Sequence, residues 1–302
     1  MNVTLLNRGT NTLRPAIAGA ETVIGDADDA ASIRSAIGSR DFDVIANFRA
    51  FYPEQVAADV ELFTGRTGQY VFISSASAYQ KPVAHLPIVE STPLRNPFWE
   101  YSRNKIACED VLVAAYRERG FPMTIVRPSH TYDSTLIPLD GGWTVLDRMR
   151  RGVPIVLHGD GTSLWTLTHA RDLARAFVGL LGNPHALGAP VQITSDESLT
   201  WNAIAGMLGS ALGIEPRLVH VASEALAAEV DYGAGLLGDK THSVVFDNSR
   251  VKSLVPGWQA TIPFAEGARE IVDWHLADPS RQQVDAELDA VYDRLVAAHL
   301  RA

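Results

Sequence analysis

Residues 43–77 read "DVIANFRAFYPEQVAADVELFTGRTGQYVFISSAS", and the reading of this stretch decides the fold. The first piece, DVIANF (43–48), is a continuous apolar run of the kind found in a parallel strand covered on both faces. The middle, PEQVAADVELFTG (53–65), is helical, with Pro53 suited to a first helical turn. The end, QYVFISSAS (69–77), is a second buried strand that runs out into serines. Strand, helix, strand is the unit of a parallel α/β sheet. The alternation continues on both sides. Upstream, VTLL (3–6) and ETVIG (21–25) read as strands, and DDAASIRSAIGS (28–39) reads as a helix with Ala31, Ile33, Ala36 and Ile37 as its apolar set. Downstream, NPFWEYSRNKIACEDVLVAAYRERG (96–120) predicts a long helix closed by Gly120, and MTIVRP (123–128) a strand stopped by proline. The second half is more mixed. Helices are expected at 142–152, 170–183, 200–213 with Thr200 as cap, and 264–279, and strands at 154–161, 190–195 and 217–222.

Composition narrows the function classes. The 302 residues are 46% hydrophobic and 20% charged, an ordinary globular balance. No run of about 18 apolar residues predicts a membrane span, and no basic-then-apolar leader is evident. Cys108 is the sole cysteine, so no intrachain disulfide can form, and a cytoplasmic protein is expected. A formal net charge of −9 argues against non-specific binding of nucleic acid. The nine histidines include no His-Glu-x-x-His and there are no cysteine pairs, so no metal site is expected.

The chemistry-bearing residues are Ser75, Tyr101 and Lys105. Tyr101 and Lys105 lie four apart in YSRNK, which places a phenol and an ammonium on one helix face. A neighbouring cation favours phenolate, so such a tyrosine can pass protons near neutral pH. Ser75 lies where a predicted parallel strand ends, the edge at which open α/β sheets place their ligands. A serine there can hydrogen-bond the oxygen that the tyrosine protonates.

YVFISSASAYQ, YSRNK and TIVRPSHTYD, in this order and spacing, resemble the extended short-chain dehydrogenase/reductases, and most of all the NAD-dependent epimerase/dehydratase group. GDGTSLWTLTHARDLARAFVGLLGN and VQITSDESLTWNAIAGMLGSALG extend the resemblance over almost the whole chain. It implies a Rossmann-like doubly wound parallel sheet with a smaller mixed α/β substrate domain. The cofactor domain is expected over 1–135, with 154–183 contributing to it, and a mainly substrate-binding region over 136–302. By resemblance, Tyr101 is the acid/base, Lys105 holds the nicotinamide ribose and tunes Tyr101, and Ser75 orients the substrate oxygen. Asp26 matches a contact to adenine. Asn47, Phe48, Arg49 and Ser74 match strand ends that line the cofactor, and Pro128, Ser129 and His130 the segment beside the nicotinamide amide. Ser77 and Trp165 fall on the substrate side. The implied activity is NAD(P)-dependent epimerase, dehydratase or reductase chemistry on a secondary alcohol or ketone, and a homodimer is implied by resemblance alone.

Three departures qualify this. Asn7-Arg8 follows the first strand where an acidic residue would hold the ribose of NAD; an arginine suits the 2′-phosphate of NADP, so NADP is expected, with NAD as the alternative. NVTLLNRG matches the family's second strand, and no glycine-rich strand–turn–helix unit is found ahead of it. The expectation is a protein that starts upstream; the alternative is a short form that binds cofactor poorly and serves as a binding or scaffold protein, as RNA-binding relatives do. The literal Gly-x-Gly-x-x-Gly at Gly233–Gly238 follows polar residues rather than a strand and is expected to be a loop. Finally, Ser163 and Trp165 stand where nucleotide-sugar members carry glutamine and a diphosphate-binding arginine. That substitution puts a nucleoside-diphosphate sugar in doubt and leaves an uncharged or aromatic substrate as plausible.

Overall fold

The computed structural model describes residues 1–10 and 17–300. In chain order the elements are β1 (Val3–Asn7), β2 (Ala20–Ile24), α1 (Ala30–Ile37), β3 (Phe42–Asn47), α2 (Pro53–Phe63), β4 (Thr67–Ile73), α3 (Glu100–Arg119) and β5 (Met123–Pro128). Then come β6 (His130–Tyr132), α4 (Trp143–Arg150), β7 (Ile155–His158), β8 (Leu164–Trp165), β9 (Leu167–His169), α5 (Ala170–Leu180), β10 (Ala189–Ile193) and β11 (Leu199–Thr200). The chain ends with α6 (Trp201–Ala211), β12 (Leu218–Val221), α7 (Ser223–Ala227), α8 (Gly233–Gly235), α9 (Ser249–Leu254), α10 (Phe264–Leu276) and α11 (Ala286–His299). A π-helical turn, Leu236–Lys240, follows α8 directly.

The chain divides into two compact units. The first comprises Met1–Ser75, Arg103–Arg127 and Leu180–Val191. The second comprises Ala76–Ser102, Pro128–Gly179 and Gln192–Ala302. Of the 154–183 segment, residues up to Gly179 therefore cluster with the second unit and the rest with the first.

In the first unit, β10-β5-β4-β3 form a four-stranded sheet, with β3, β4 and β5 parallel; Ile45 faces Tyr70 and Phe72 faces Ile125. β1 and β2 form a separate parallel pair, with Leu5 opposite Thr22. The apolar run that predicts β4 is explained by burial on both faces: Tyr70, Val71 and Phe72 are all fully buried. One core joins Ile33 and Ile37 of α1, Val56 and Val60 of α2, Phe72 of β4, and Cys108 and Leu112 of α3. The helix ends follow local rules. Pro53 opens α2, and the Gln55 side chain accepts the N–H groups of Phe51 and Tyr52. Gly120, at φ +65°, returns its N–H to the Tyr116 carbonyl and ends α3. At its start, α3 begins at Glu100, later than the sequence suggests, because Asn96 holds the preceding residues in a capping turn.

The second unit is built on short sheets: β7 with β12 and β6 with β9 run parallel, and β8 with β11 antiparallel. Its core centres on Trp143, Trp165 and Trp201. The Thr200 hydroxyl accepts the Ala203 N–H and caps α6 as expected. The glycine motif at 233–238 is not a loop: it is α8 running into the π-helix. Its glycines allow close packing. A Cβ at Gly233 would lie 2.2 Å from the Ala227 carbonyl oxygen, and one at Gly238 would lie 2.6 Å from the Trp99 Cβ.

Candidate functional site

In the first unit the carboxyl ends of the parallel strands converge on α3. Lys105 is 2% exposed, and its Nζ donates to the carbonyls of Ala50 (2.7 Å) and Ile73 (2.8 Å), just past β3 and at the end of β4. The ammonium also lies over the rings of Phe51 (4.6 Å) and Phe72 (4.8 Å). Burial brings its pKa down to about 8, against smaller opposing effects from Cys108 and Glu109. Ser75 stands two residues beyond the Ile73 carbonyl. Strand end and lysine are thus locked to each other by direct bonds. Tyr101 lies one helical turn before Lys105 on α3, its ring 4.7 Å from that of Trp99.

Ser74 is turned to another task. Its hydroxyl donates to Glu109 Oε1 at 2.5 Å, and Glu109 also accepts from Arg127 at Oε1 (3.0 Å) and Oε2 (2.5 Å). Both charged side chains are about 95% buried. The triad ties α3 to the ends of β4 and β5. Glu109 and Arg127 were not singled out from the sequence; the signal available was Glu109 at i+4 from Lys105.

The other residues expected on the cofactor side also occupy strand ends. Arg8 is exposed just after β1, where Gly9 (φ +69°) donates its N–H to the Asn7 side chain at 2.8 Å. Asp26 follows β2; its carboxylate accepts the Asp28 N–H, and its own N–H donates to the Ser32 hydroxyl. Asn47 shapes the loop after β3: its Oδ1 accepts from the Arg49 and Ala50 N–H groups, and its Nδ2 donates to Asp59. Phe48 is 53% exposed there, and Arg49 pairs with Asp28 at 3.1 Å. Each of these residues lies at or just past the end of a strand, and between them they offer a guanidinium, a carboxylate and an exposed aromatic ring, groups that can meet the phosphate, ribose and adenine of a dinucleotide. A groove of about 600 Å³ opens at the opposite, amino ends of β3 and β4, beside Asp41, Arg66 and Asn183. Its buried Gln69 is bonded to Thr124, Leu180 and Gly182.

In the second unit, Pro128 ends β5 and leads into β6. His130 Nδ1 accepts the Trp165 indole N–H at 3.2 Å. Burial, reinforced by Lys240, brings the His130 imidazole down to about 3, so it is neutral at physiological pH. The Ser129 hydroxyl donates to the Thr166 carbonyl. Trp165 is 2% exposed and packs 5.2 Å from Trp201, so its indole is a wall between residues. Ser77, also 2% exposed, accepts a hydrogen bond from the Ser102 hydroxyl at 2.7 Å. Lys240, on the π-helix, forms a close ion pair with Asp140. Among the described residues no group of three or more His, Cys, Asp or Glu side chains could hold a metal ion, and no helix is long and apolar enough to cross a membrane.

Comparison with known proteins gives this geometry a context. The sequence profile of the NAD dependent epimerase/dehydratase family matches residues 1–193. The 2'-dehydrokanamycin reductase of Streptomyces kanamyceticus is 31% identical over 195 residues, covering 63% of this chain and 54% of that one. The chain thus spans about half of the reductase's length. The chloroplast stem-loop binding protein of 41 kDa b of Arabidopsis thaliana is 26% identical over 273 residues, 90% of this chain and 68% of that one. Among solved structures, the epimerase Mth375 of Methanothermobacter thermautotrophicus superposes with a TM-score of 0.75 at 15% identity, covering 92% of this chain and 86% of that one. This last likeness shows the Rossmann-like fold.

Proposed function

The chain belongs to the NAD-dependent epimerase/dehydratase family, and on that premise we propose that it is an NAD(P)-dependent oxidoreductase acting on a ketone or secondary alcohol of a sugar-like molecule. The observation that carries this reading is the fixed position of Lys105, buried and bonded to the ends of two parallel strands beside Ser75, one helical turn from Tyr101. Tyr101 is the group that donates or removes the hydroxyl proton. Lys105 holds positive charge beside the reacting oxygen and hydrogen-bonds the sugar of the cofactor. Ser75 orients the carbonyl. Arg8, Asp26, Asn47, Phe48 and Arg49 hold the adenosine end, and Pro128 and His130 border the nicotinamide. The cofactor, when bound, supplies or accepts the hydride. Arg8 favours NADPH over NADH. Support for a non-nucleotide substrate comes from Trp165, which replaces a cation with a buried indole, and from the similarity to a reductase of a modified kanamycin.

A second reading, a nucleic-acid-binding protein of the same fold, is favoured by the stem-loop binding relative, whose match covers most of this chain. The net charge of −9 weighs against it. Titration with NADPH and NADH, followed by energy transfer from tryptophan, separates the two. Micromolar binding with tighter NADPH supports the enzyme, and Tyr101→Phe is then expected to lower turnover at least a hundredfold while cofactor affinity holds. Absence of binding to either cofactor, together with retention of a stem-loop RNA, would overturn the enzyme reading.

A further inference from the structure

We propose that Asn96 is a positioning residue: it fixes the first turn of α3, and with it Tyr101, against both the Ser77 turn and the π-helix. The proposal rests on the assignment of Tyr101 as the acid/base above. Asn96 lies before α3 and is 2% exposed. Its Oδ1 accepts the N–H groups of Phe98 (3.2 Å) and Trp99 (3.1 Å), which belong to the turn leading into the helix. Its Nδ2 donates to the Ser77 carbonyl (2.9 Å) and to the Gly238 carbonyl (2.7 Å). Both donors and both lone pairs of one amide are engaged, which fixes its orientation and leaves it no alternative rotamer of equal energy. Only an amide can do this. A carboxylate keeps the acceptor half and sets a negative oxygen against two carbonyls; a hydroxyl has a single proton and cannot donate to both carbonyls.

The three structures that Asn96 joins are the ones a reaction needs in register. The Ser77 turn follows the strand end that carries Ser75, and the Ser102 hydroxyl donates to the Ser77 hydroxyl at 2.7 Å, stapling α3 to that turn. Tyr101 stands between these two ties, Asn96 before it and Ser102 after it. The π-helix brings Asp239, bonded to the fully buried Lys81 at 3.1 Å, and Lys240, paired with Asp140. Gly238 makes the junction possible, since a Cβ there would sit 2.6 Å from the Trp99 Cβ and 3.1 Å from Asn96 Oδ1. π-Helical turns inside helices recur at functional sites, and here one is wired by a single amide to the start of the helix that bears the acid/base.

Asn96→Asp separates the two halves of the amide: it keeps the cap on Phe98 and Trp99 and loses both donations. Two measurements test it in the full chain: NADPH-linked reduction of 9,10-phenanthrenequinone as probe, and hydrogen–deuterium exchange. The expected result is a kcat at least tenfold below wild type, an NADPH dissociation constant within twofold, and faster exchange in residues 236–242 with the helix of residues 104–119 unchanged. Gly238→Ala, whose added methyl crowds both Trp99 and the Asn96 amide and so pushes the π-helix away from the start of α3, is expected to lower kcat in the same direction. Wild-type kcat in Asn96→Asp, or unchanged exchange in 236–242, overturns the proposal. A wild-type protein that binds no nicotinamide cofactor instead overturns the enzyme reading, and the exchange data then decide the Asn96 link by themselves.

Discussion

At the scale of single residues, a buried imidazole and a buried ion pair show how burial decides behaviour. His158, at the end of β7, is 6% exposed, lies edge-on to Trp201 at 5.1 Å, and its Nε2 has no hydrogen-bond partner among the described residues. Burial, helped by Lys240 and opposed by Asp160, brings its imidazole from 6.5 down to about 4. Between those values the unfolded chain takes up a proton that the folded one refuses. The stability His158 permits is therefore complete above pH 6.5 and lost as pH falls toward 4, by about 3 kcal/mol at ~1.4 kcal/mol per pKa unit. His158→Phe is expected to flatten that acid limb, read as the difference between urea midpoints at pH 7 and pH 4.5; an unchanged slope would sink the assignment. Glu109 and Arg127 behave differently, because each satisfies the other. Glu109→Ala leaves a guanidinium buried without its carboxylate and should cost about 3–5 kcal/mol in urea unfolding. The paired change Glu109→Leu with Arg127→Met should recover most of that loss, and failure to recover any of it would mean the triad does more than balance charge.

At the scale of elements, the glycines of 233–238 act through what they leave out. The sequence marks this stretch as a loop because it follows polar residues rather than a strand and precedes a strand-like run rather than a helix. In the fold each glycine instead admits a neighbour: the Ala227 backbone at Gly233, Trp99 at Gly235 and Gly238. The consequences differ along a single short element. Gly233→Ala forces a methyl onto a backbone oxygen 2.2 Å away, and overpacking of this kind costs about 1–3 kcal/mol or more. Gly235→Ala meets Trp99 at 3.4 Å, an ordinary contact, and gains up to about 1 kcal/mol of helix propensity. Thermal melts of the two variants should therefore move apart, with Gly233→Ala several degrees below Gly235→Ala. Equal melting temperatures would return the segment to the loop that the sequence suggests.

At the scale of the whole molecule, what was legible in the sequence and what was not divide along a physical line. β4 and β5 are covered on both faces and write uninterrupted apolar runs, so they could be read directly. β3 was legible as a strand, but as the edge of the sheet its residues are half-buried or exposed, not covered on both faces as its apolar run suggests. Helical spacing placed Tyr101 and Lys105 on one face of α3. Asn96 and Glu109 could not be read, since their roles depend on carbonyls and charges that tertiary packing brings to them. The burial of Trp165 was equally hidden, because an indole that stacks on a ligand and one that packs against Trp201 look alike in a sequence. The hydrogen-bonding division of the first unit was likewise beyond sequence pattern. β1 and β2 pair with each other and, among the described residues, with no other strand. Their side chains are half-buried or exposed, with Ile24 at 66%, whereas Tyr70, Val71 and Phe72 of β4 are fully buried. A two-stranded sheet is marginal by itself. What ties this one down is Leu6 packed against the core of the unit and surface pairs such as Arg40 with Glu21 at 2.9 Å. Exposed pairs add little, about 0–1 kcal/mol. The pair should thus open well below the free energy of global unfolding. Hydrogen exchange at residues 3–7 and 20–24 is expected to run at least tenfold faster than at 70–73 and 124–126, and faster still in Leu6→Ala but not in Arg40→Ala. Because Arg8 and Asp26 stand at the ends of these two strands, saturating NADPH should slow exchange there selectively, as a ligand that binds only the closed form must. Protection of β1 and β2 equal to that of β4, with or without NADPH, would show that the pair and the four-stranded sheet open as one body.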